Sequence, residues 1–249
     1  MATPDRYFVD SPIQGDAVTL PGPESHHLIH VLRAKVGTRV VLFDGSGAEF
    51  LAQVDQVGRT EVTLKILSRH EVSRELPVAL TLGVALPKGD RQKWIVEKAV
   101  ELGVARIVPL WTSRSVAQPV GQALARLQRA VIEASKQCGR NRLLEIGEPQ
   151  QWADFVAATR AVPWRLLAHP NPKPHPGQRL HRLPLPGSEE PQPAGPILLA
   201  VGPEGGFSSE EVALGTASGW QTVDLGQRTL RIETAAILLV AAVLLTLRL

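Results

Sequence analysis

The residues best suited to chemistry in this 249-residue chain lie in two stretches near its C-terminus. The first, Ile197 to Glu211, reads I-L-L-A-V-G-P-E-G-G-F-S-S-E-E: a short apolar run, a glycine-rich turn and a helix start. Glycine leaves backbone N–H and C=O groups unobstructed, so several can face one small molecule. The second, Leu225 to Ala236, reads L-G-Q-R-T-L-R-I-E-T-A-A and brings a glycine, Arg228, Arg231 and Glu233 to the mouth of an apolar helix. Together they describe a small-molecule pocket with charged groups at its rim, in an enzyme acting on something anionic.

Plainer accounts exist for each part. Gly202 to Gly206 alone is an ordinary strand-to-helix turn, and Ser208 with Glu211 forms an S-x-x-E capping box whose helix Gly219 can end. Arg228, Arg231 and Glu233 could pair with one another at a helix entrance, with Thr234 as N-cap of a helix from Ala235 to Leu247. A dinucleotide fingerprint is tempting because Asp224 follows Gly202 at the distance of a ribose-binding acid. It fails because G-P-E-G-G is not G-x-G-x-x-G and comes late in the chain. No G-x-x-x-x-G-K-[ST] phosphate loop occurs. His26 and His30 stand at i, i+4 without a third ligand in reach, so no metal is expected. Cys138 has no paired His–Asp signature and reads as a small buried residue.

The segments G-P-E-G-G-F-S and L-G-x-R-x-L-R-x-E-T-A resemble those of the knotted, SPOUT-class RNA methyltransferases, above all the ribosomal RNA small subunit methyltransferase E family. The likeness continues through R-Y-F at Arg6 to Phe8, H-H-L-I-H-V-L-R at His26 to Arg33 and L-P-K-G-D-R at Leu86 to Arg91. E-K-A-V-E-L-G-V at Glu97 to Val104 and Q-C-G-R-N-R at Gln137 to Arg142 extend it. The order and spacing of these motifs make the match specific. It implies an S-adenosylmethionine-dependent enzyme that methylates N3 of a uridine in 16S ribosomal RNA. It also implies a trefoil-knotted domain with a dimer interface, and a small PUA-like β-barrel of the kind used to bind RNA.

The elements needed to position these residues are legible in outline. Arg39 to Phe43 and Ala48 to Val54 read as strands joined by a hairpin at Asp44-Gly45-Ser46-Gly47, and Val62 to Leu67 as another. A short helix is expected between Pro23 and Gly37, with Ser25 as N-cap. Ser68 to Pro77 is polar and marks a boundary, so residues 1–73 are assigned to the barrel and 74–249 to an α/β domain with a mostly parallel sheet. In that domain Val78–Ala85, Arg106–Trp111, Arg165–Ala168, Ile197–Val201 and Thr222–Leu225 read as strands, with helices over Lys88–Leu102 and Leu124–Cys138. Pro170 to Pro196 carries 9 of the 20 prolines and is expected to be an extended loop.

Composition narrows the partners. A single cysteine excludes an intrachain disulfide, and no signal peptide or run long enough to cross a bilayer is seen, so a cytoplasmic protein without a membrane partner is expected. Aromatic residues make up only 4 % of the chain, so RNA contacts should rest on Arg, Lys and backbone groups rather than on extended stacking. Up to Arg74 there are 8 Lys/Arg against 9 Asp/Glu, so the net charge of +3 arises later in the chain. Arg126, Arg129, Lys136, Arg140 and Arg142 face only Glu133, and residues 160–182 hold five basic groups and no acid. Solvated surface would explain either run; two beside a pocket point to a polyanion. Arg6, Arg33, Arg126, Arg129 and Arg140 are the candidate RNA-binding residues, with 16S ribosomal RNA or the small ribosomal subunit as partner and a homodimer as the assembly.

Within the pocket, Leu199, Val201, Gly202, Pro203, Gly205, Gly206, Leu225, Gly226, Leu230 and Thr234 are the candidate S-adenosylmethionine-binding residues, and the resemblance implies that Gln137, Gly139 and Arg140, matching the family's Q-x-G-R, border it. Uridine N3 carries a proton at neutral pH, so methylation there needs a proton acceptor and stabilisation of the imidate. Arg231 is suited to the second task. Glu204, Glu233 or water could perform the first. Arg231 and Glu204 are the candidate catalytic residues. A non-catalytic RNA-binding protein would leave the two glycine segments unexplained, and a nucleotide-dependent oxidoreductase would need the fingerprint this chain lacks.

Overall fold

The computed structural model describes residues 4–116, 121–170 and 195–247, so most of the proline-rich stretch at 170–196 lies outside the described residues. The chain forms two compact units: residues 1–75 with 132–143, and residues 76–131 with 144–249.

In the first unit β1 (Arg6–Phe8), β2 (Ala17–Pro21), β3 (Arg39–Phe43), β4 (Ala48–Val57) and β5 (Glu61–Glu71) form one sheet in the order β1-β3-β4-β5-β2. All its pairings are antiparallel except β1 with β3. Alternation sets the inward face: Ala48, Phe50, Ala52 and Val54 of β4 are buried and join Tyr7, Leu20, Leu28, Val40, Leu42, Val62 and Leu64 in one core. The expected hairpin turn is present. The Asp44 carboxylate accepts from the Ser46 and Ile13 N–H groups at 3.0 and 2.9 Å, and Gly47 takes a φ of 107° closed to other residues. Strand β5 runs past the expected end because residues 68–71 pair with the start of β4.

The expected helix is shorter and differently capped. Helix α1 (Gly22–His26) starts with Pro23 in its first turn and runs into a π-helical turn at His27–Val31. Ser25 is therefore not the N-cap: it lies inside the helix, 1 % exposed, its hydroxyl directed at the carbonyls of Gly22 and Thr60. Residues 132–143 are tied into the unit by charge. Glu49 accepts from Arg6 at 2.9 Å and Arg74 at 3.1 Å, Asn141 donates to the Val72 carbonyl at 3.0 Å, and Arg140 donates to Glu75 at 3.0 Å.

The second unit is built on parallel strands. β6 (Leu80–Val84), β7 (Arg106–Trp111), β8 (Glu145–Ile146), β10 (Trp164–Ala168), β11 (Ile197–Val201) and β12 (Gln221–Val223) run in the order β12-β10-β11-β6-β7-β8, and β9 (Gln150–Gln151) also pairs with β7. Helices α2 (Arg91–Glu101), α3 (Gln122–Cys138), α4 (Trp152–Ala158), α5 (Ser209–Ala217) and α6 (Ile232–Thr246) complete it, with the last part of α3 belonging to the first unit. Leu198 and Ala200 of β11 face a cluster with Trp152, Phe155, Phe207 and Trp220, whose rings pack tilted against one another with centroids 4.8–6.3 Å apart. The alternate residues of β11 are left for the face that carries α6, which also packs against α2.

Glu49 makes the first unit sensitive to acid. Burial alone would raise its pKa, but the hydrogen bonds from Arg6 and Arg74 outweigh that and hold it below the ordinary carboxylate range. A depressed folded pKa contributes stability above the unfolded value of about 4.3, and that contribution is lost as pH falls through the folded value. Glu49→Gln should therefore cost about 1–3 kcal/mol at pH 7. Urea unfolding should show the gap to the unsubstituted protein narrowing toward pH 3; an equal gap at both pH values would refute this role.

Candidate active site

Three neighbouring strands end at one level and create the site. Ala168 of β10 pairs in register with Val201 of β11 and with Val223 of β12. Their carboxyl ends lie side by side, the place where open parallel sheets bind ligands. The resulting cleft of about 260 Å³ is walled by Val201, Pro203, Leu225, Leu230, Ile232 and Ala235. Glu204, Asp224, Arg114, His169 and Arg228 also line it.

The loop after β11 is shaped by glycine and clamped by one glutamate. A Cβ on Gly202 would lie 2.9 Å from the Phe207 ring, so a side chain there would displace a core aromatic. Gly206, at φ 66°, closes a turn by donating to the Pro203 carbonyl at 2.8 Å. The expected capping box is formed: Ser208 accepts from the Glu211 N–H at 3.2 Å, and the Glu211 carboxylate accepts from the Ser208 N–H at 2.8 Å. The same carboxylate accepts from the Ser113 N–H at 2.7 Å, and the Glu211 carbonyl accepts from the Trp152 indole at 2.9 Å. Arg114, on the same segment as Ser113, donates to the Gly205 carbonyl at 2.6 Å.

The loop after β12 turns at Gly226, whose N–H donates to Asp224 at 3.0 Å and whose φ is 116°. It then enters α6 three residues earlier than expected: Arg231, not Thr234, is the N-cap residue, without a side-chain cap. Ile232 is 2 % and Glu233 9 % exposed, so burial of the first turn decides the start over capping preference. Arg91 of α2 ties the loops together, 3.3 Å from Glu204 and 3.6 Å from Glu233. The second distance is an ion pair beyond hydrogen-bond reach, and Oε2 of Glu233 is shielded from solvent without a hydrogen-bond partner. His169 is half-buried, its pKa pushed below the ordinary histidine value by burial, and its Nδ1 likewise has no partner.

Most of the expected pocket residues meet here. Val201, Gly202, Pro203, Gly205, Gly206, Leu225, Gly226 and Leu230 line the cleft, as does Glu204. Leu199 does not: it is fully buried in β11, one turn of the pleat below the strand end. Thr234 and Arg231 line a second depression, bounded also by Asp90, Arg91, Trp94, Thr229, Leu230 and Glu233. Gln137, Gly139 and Arg140 belong to the first unit and do not line the cleft. Arg91, Arg114 and His169 were not expected at the site, although Arg91 ends the L-P-K-G-D-R motif; Asp224, set aside with the dinucleotide fingerprint, lines the cleft.

The candidate RNA-binding arginines fall into two groups. Arg33 is exposed at a φ of 52°, and Arg126 and Arg129 are exposed on neighbouring turns of α3. Arg6 and Arg140 require correction as surface contacts, since their side chains are 11 % and 4 % exposed and are held by Glu49 and Glu75. Among the described residues no group of three or more His, Cys, Asp or Glu could hold a metal; the His26 and His30 rings lie 4.6 Å apart with no third donor. No described helix is long and apolar enough to cross a membrane.

Known proteins share this arrangement. An RNA methyltransferase domain model matches residues 74–244, and an RNA methyltransferase PUA domain model matches residues 20–67. The ribosomal RNA small subunit methyltransferase E of Synechocystis is 34 % identical over 221 residues, covering 88 % of this chain and 69 % of its own. A methyltransferase from Legionella pneumophila solved with bound SAM superposes with a TM-score of 0.84 at 32 % identity, over 97 % of this chain and 96 % of that one. Ribosomal RNA small subunit methyltransferase E from Neisseria gonorrhoeae, solved with S-adenosylmethionine, gives 0.83 at 30 % identity over the same shares. The fold class is that of the knotted SPOUT enzymes, a mostly parallel α/β sheet joined in one chain to a PUA-like β-unit. With both domain models matched in order and these relatives aligned over most of its length, the chain belongs to the ribosomal RNA small subunit methyltransferase E family of RNA methyltransferases.

Proposed function

We propose that this protein transfers a methyl group from S-adenosylmethionine to N3 of a uridine in 16S ribosomal RNA of the small ribosomal subunit, in the cytoplasm. One observation carries the proposal: the cleft at the carboxyl ends of β10, β11 and β12, in a chain that superposes on relatives solved with that cofactor. The residues present suit it. A Cβ at Gly206 or Gly226 would meet nothing within 4 Å, so both glycines front open space, while Val201, Leu225 and Leu230 offer apolar walls. Asp224 and Glu204 complement a cationic ligand, and Arg114 and Arg228 complement its carboxylate. The bound cofactor supplies an electrophilic methyl group. The protein's part is to orient the uracil in line with it, exclude water and accommodate the N3 proton and the charge it leaves. Arg231, exposed at the start of α6 beside the cleft, is positioned to stabilise the imidate, and Glu204 stands on the cleft wall as a candidate acceptor.

Assembly and RNA contact follow from two surfaces. On α6, Leu238 and Ala241 are only partly covered and Leu245 is 88 % exposed. They share one face at i, i+3 and i+7, an apolar stripe that a second copy of the chain would cover. Arg126 and Arg129 present positive charge on α3, suited to phosphate.

Gly226→Val should reduce S-adenosylmethionine affinity at least about 100-fold, because its side chain fills the cleft and the φ is one that branched residues avoid. Calorimetry reads this, and unchanged affinity would refute the cleft assignment. Arg231→Ala should lower single-turnover methylation by roughly 10²–10³ with cofactor affinity little changed. Arg126→Ala with Arg129→Ala should instead weaken RNA affinity and flatten its salt dependence. A normal single-turnover rate in Arg231→Ala would remove it from the chemistry. Light scattering should give the mass of a dimer, and Leu238→Glu with Leu245→Glu should give a monomer; a monomeric parent protein would overturn the assembly.

A further inference from the structure

The depression beside the cleft has a composition that the cofactor does not explain. It shares Thr229 and Leu230 with the cleft, so that pair of residues forms a common wall, and whatever sits in the depression is a neighbour of whatever sits in the cleft. The far side is formed by Asp90, Arg91 and Trp94 at the start of α2, the near side by Arg231, Glu233 and Thr234 at the start of α6. Three features there are unusual together. Trp94 leaves its indole 41 % exposed in a chain with few aromatics, although the neighbouring helix residues Ile95 and Val96 are fully buried. Glu233 is 9 % exposed, yet among the described residues Oε2 has no hydrogen-bond donor, and its ionic neighbour Arg91, at 3.6 Å, is shared with Glu204. Arg231 is exposed and lines the same depression, a guanidinium available to an anion or a polarised carbonyl.

An exposed indole, a shielded carboxylate short of a donor and two guanidinium groups are together complementary to a uracil ring. Its face stacks on an aromatic, its N3–H is a donor in search of an acceptor, and its two carbonyls take N–H donors. We infer that this depression seats the target uracil, with Trp94 as the surface against which the base lies and Glu233 as the residue that takes its N3 proton. The inference rests on the methyltransferase reading and deepens it by choosing Glu233 over Glu204. Glu204 lines the cofactor cleft and is 45 % exposed at its side chain, whereas Glu233 lines the base's own compartment and is largely enclosed, at the N-terminal turn of α6 where a carboxylate is favoured. In the step, the N3–H electron pair stays on nitrogen while the proton moves to a Glu233 carboxylate oxygen. That pair then forms the new N–C bond, the methyl–sulfur pair leaves with sulfur, and Glu233 later passes its proton to water. Arg91 and Arg231 hold the negative charge that spreads onto the uracil carbonyls.

The test separates base seating, proton removal and the underlying activity. The unsubstituted protein is first assayed for S-adenosylmethionine binding and for methylation of small ribosomal subunits lacking the modification; failure of both would sink the methyltransferase reading itself. Pentauridylate is then titrated into cofactor-free protein at low salt. Tryptophan fluorescence should be quenched, and Trp94→Ala, a change at a half-exposed position, should remove the quenching and weaken affinity about 10- to 100-fold. Glu233→Gln should keep cofactor and pentauridylate affinity within about threefold while single-turnover methylation falls roughly 10²–10⁴-fold, with Glu233→Asp recovering part of it. A Glu233→Gln rate within about threefold of the parent, or quenching that persists in Trp94→Ala, would overturn the inference while leaving the methyltransferase reading intact.

Discussion

The site depends on one carboxylate. Glu211 is the second residue of its capping box and could have done no more than start α5. Instead its carboxylate also receives the Ser113 N–H from the segment after β7, and its carbonyl receives the Trp152 indole. A strand end, a helix start, the loop of a more distant strand and the aromatic core are thereby joined through one residue. The glycine-rich turn between β11 and α5 is anchored in the aromatic core by Phe207, and its shape is fixed further by Glu211 at its end and by Arg114 on the Gly205 carbonyl. A turn held this way can keep its open glycines rigid, which a ligand needs if binding is not to be spent on ordering the loop.

A second constraint is electrostatic. Arg91 lies between Glu204 and Glu233 and satisfies neither fully, at 3.3 and 3.6 Å. A shared cation keeps two carboxylates at one site from repelling each other while leaving acceptor capacity open. Such incompletely satisfied groups are costly in a core, where a donor would be found for them. At the mouth of an apolar helix, next to a cleft, the same deficit is a place for a substrate donor. The first unit shows the opposite arrangement. Its Glu49 and Glu75 are met by Arg6, Arg74 and Arg140 at hydrogen-bond distance, and those arginines serve the framework.

Chemical pattern and secondary structure were legible to different depths. The strands Arg106–Trp111 and Ile197–Val201, the hairpin at Asp44–Gly47 and the capping box at Ser208 are visible because local forces specify them: apolar run length, glycine placement and a side chain reaching three residues ahead. Helix α4 was not seen, since seven residues make barely two turns and it has no side-chain cap; the burial of Trp152, Phe155 and Val156 supports it. Ser25 and Thr234 have good capping chemistry and were misread as N-caps. Pro23 begins one helix earlier, and burial of Ile232 and Glu233 draws the other back to Arg231.

What the sequence determined by itself was the set of residue types that could surround a cofactor: eight of the ten expected pocket residues line the cleft, because glycine runs and strand ends mark a pocket before any packing is known. Tertiary structure alone decided which side chains share a compartment. Leu199, on the same face of β11 as Val201, is kept from the pocket by lying two residues deeper in the strand, Arg6 and Arg140 are taken by half-buried carboxylates, and Arg91, Trp94, Arg231 and Glu233 are gathered into one depression from segments more than a hundred residues apart in the chain. No local rule could have made that assignment. Periodicity reports which face of an element is buried, whereas a long-range pairing such as Arg91 with Glu233 exists only once α2 and α6 have packed against each other.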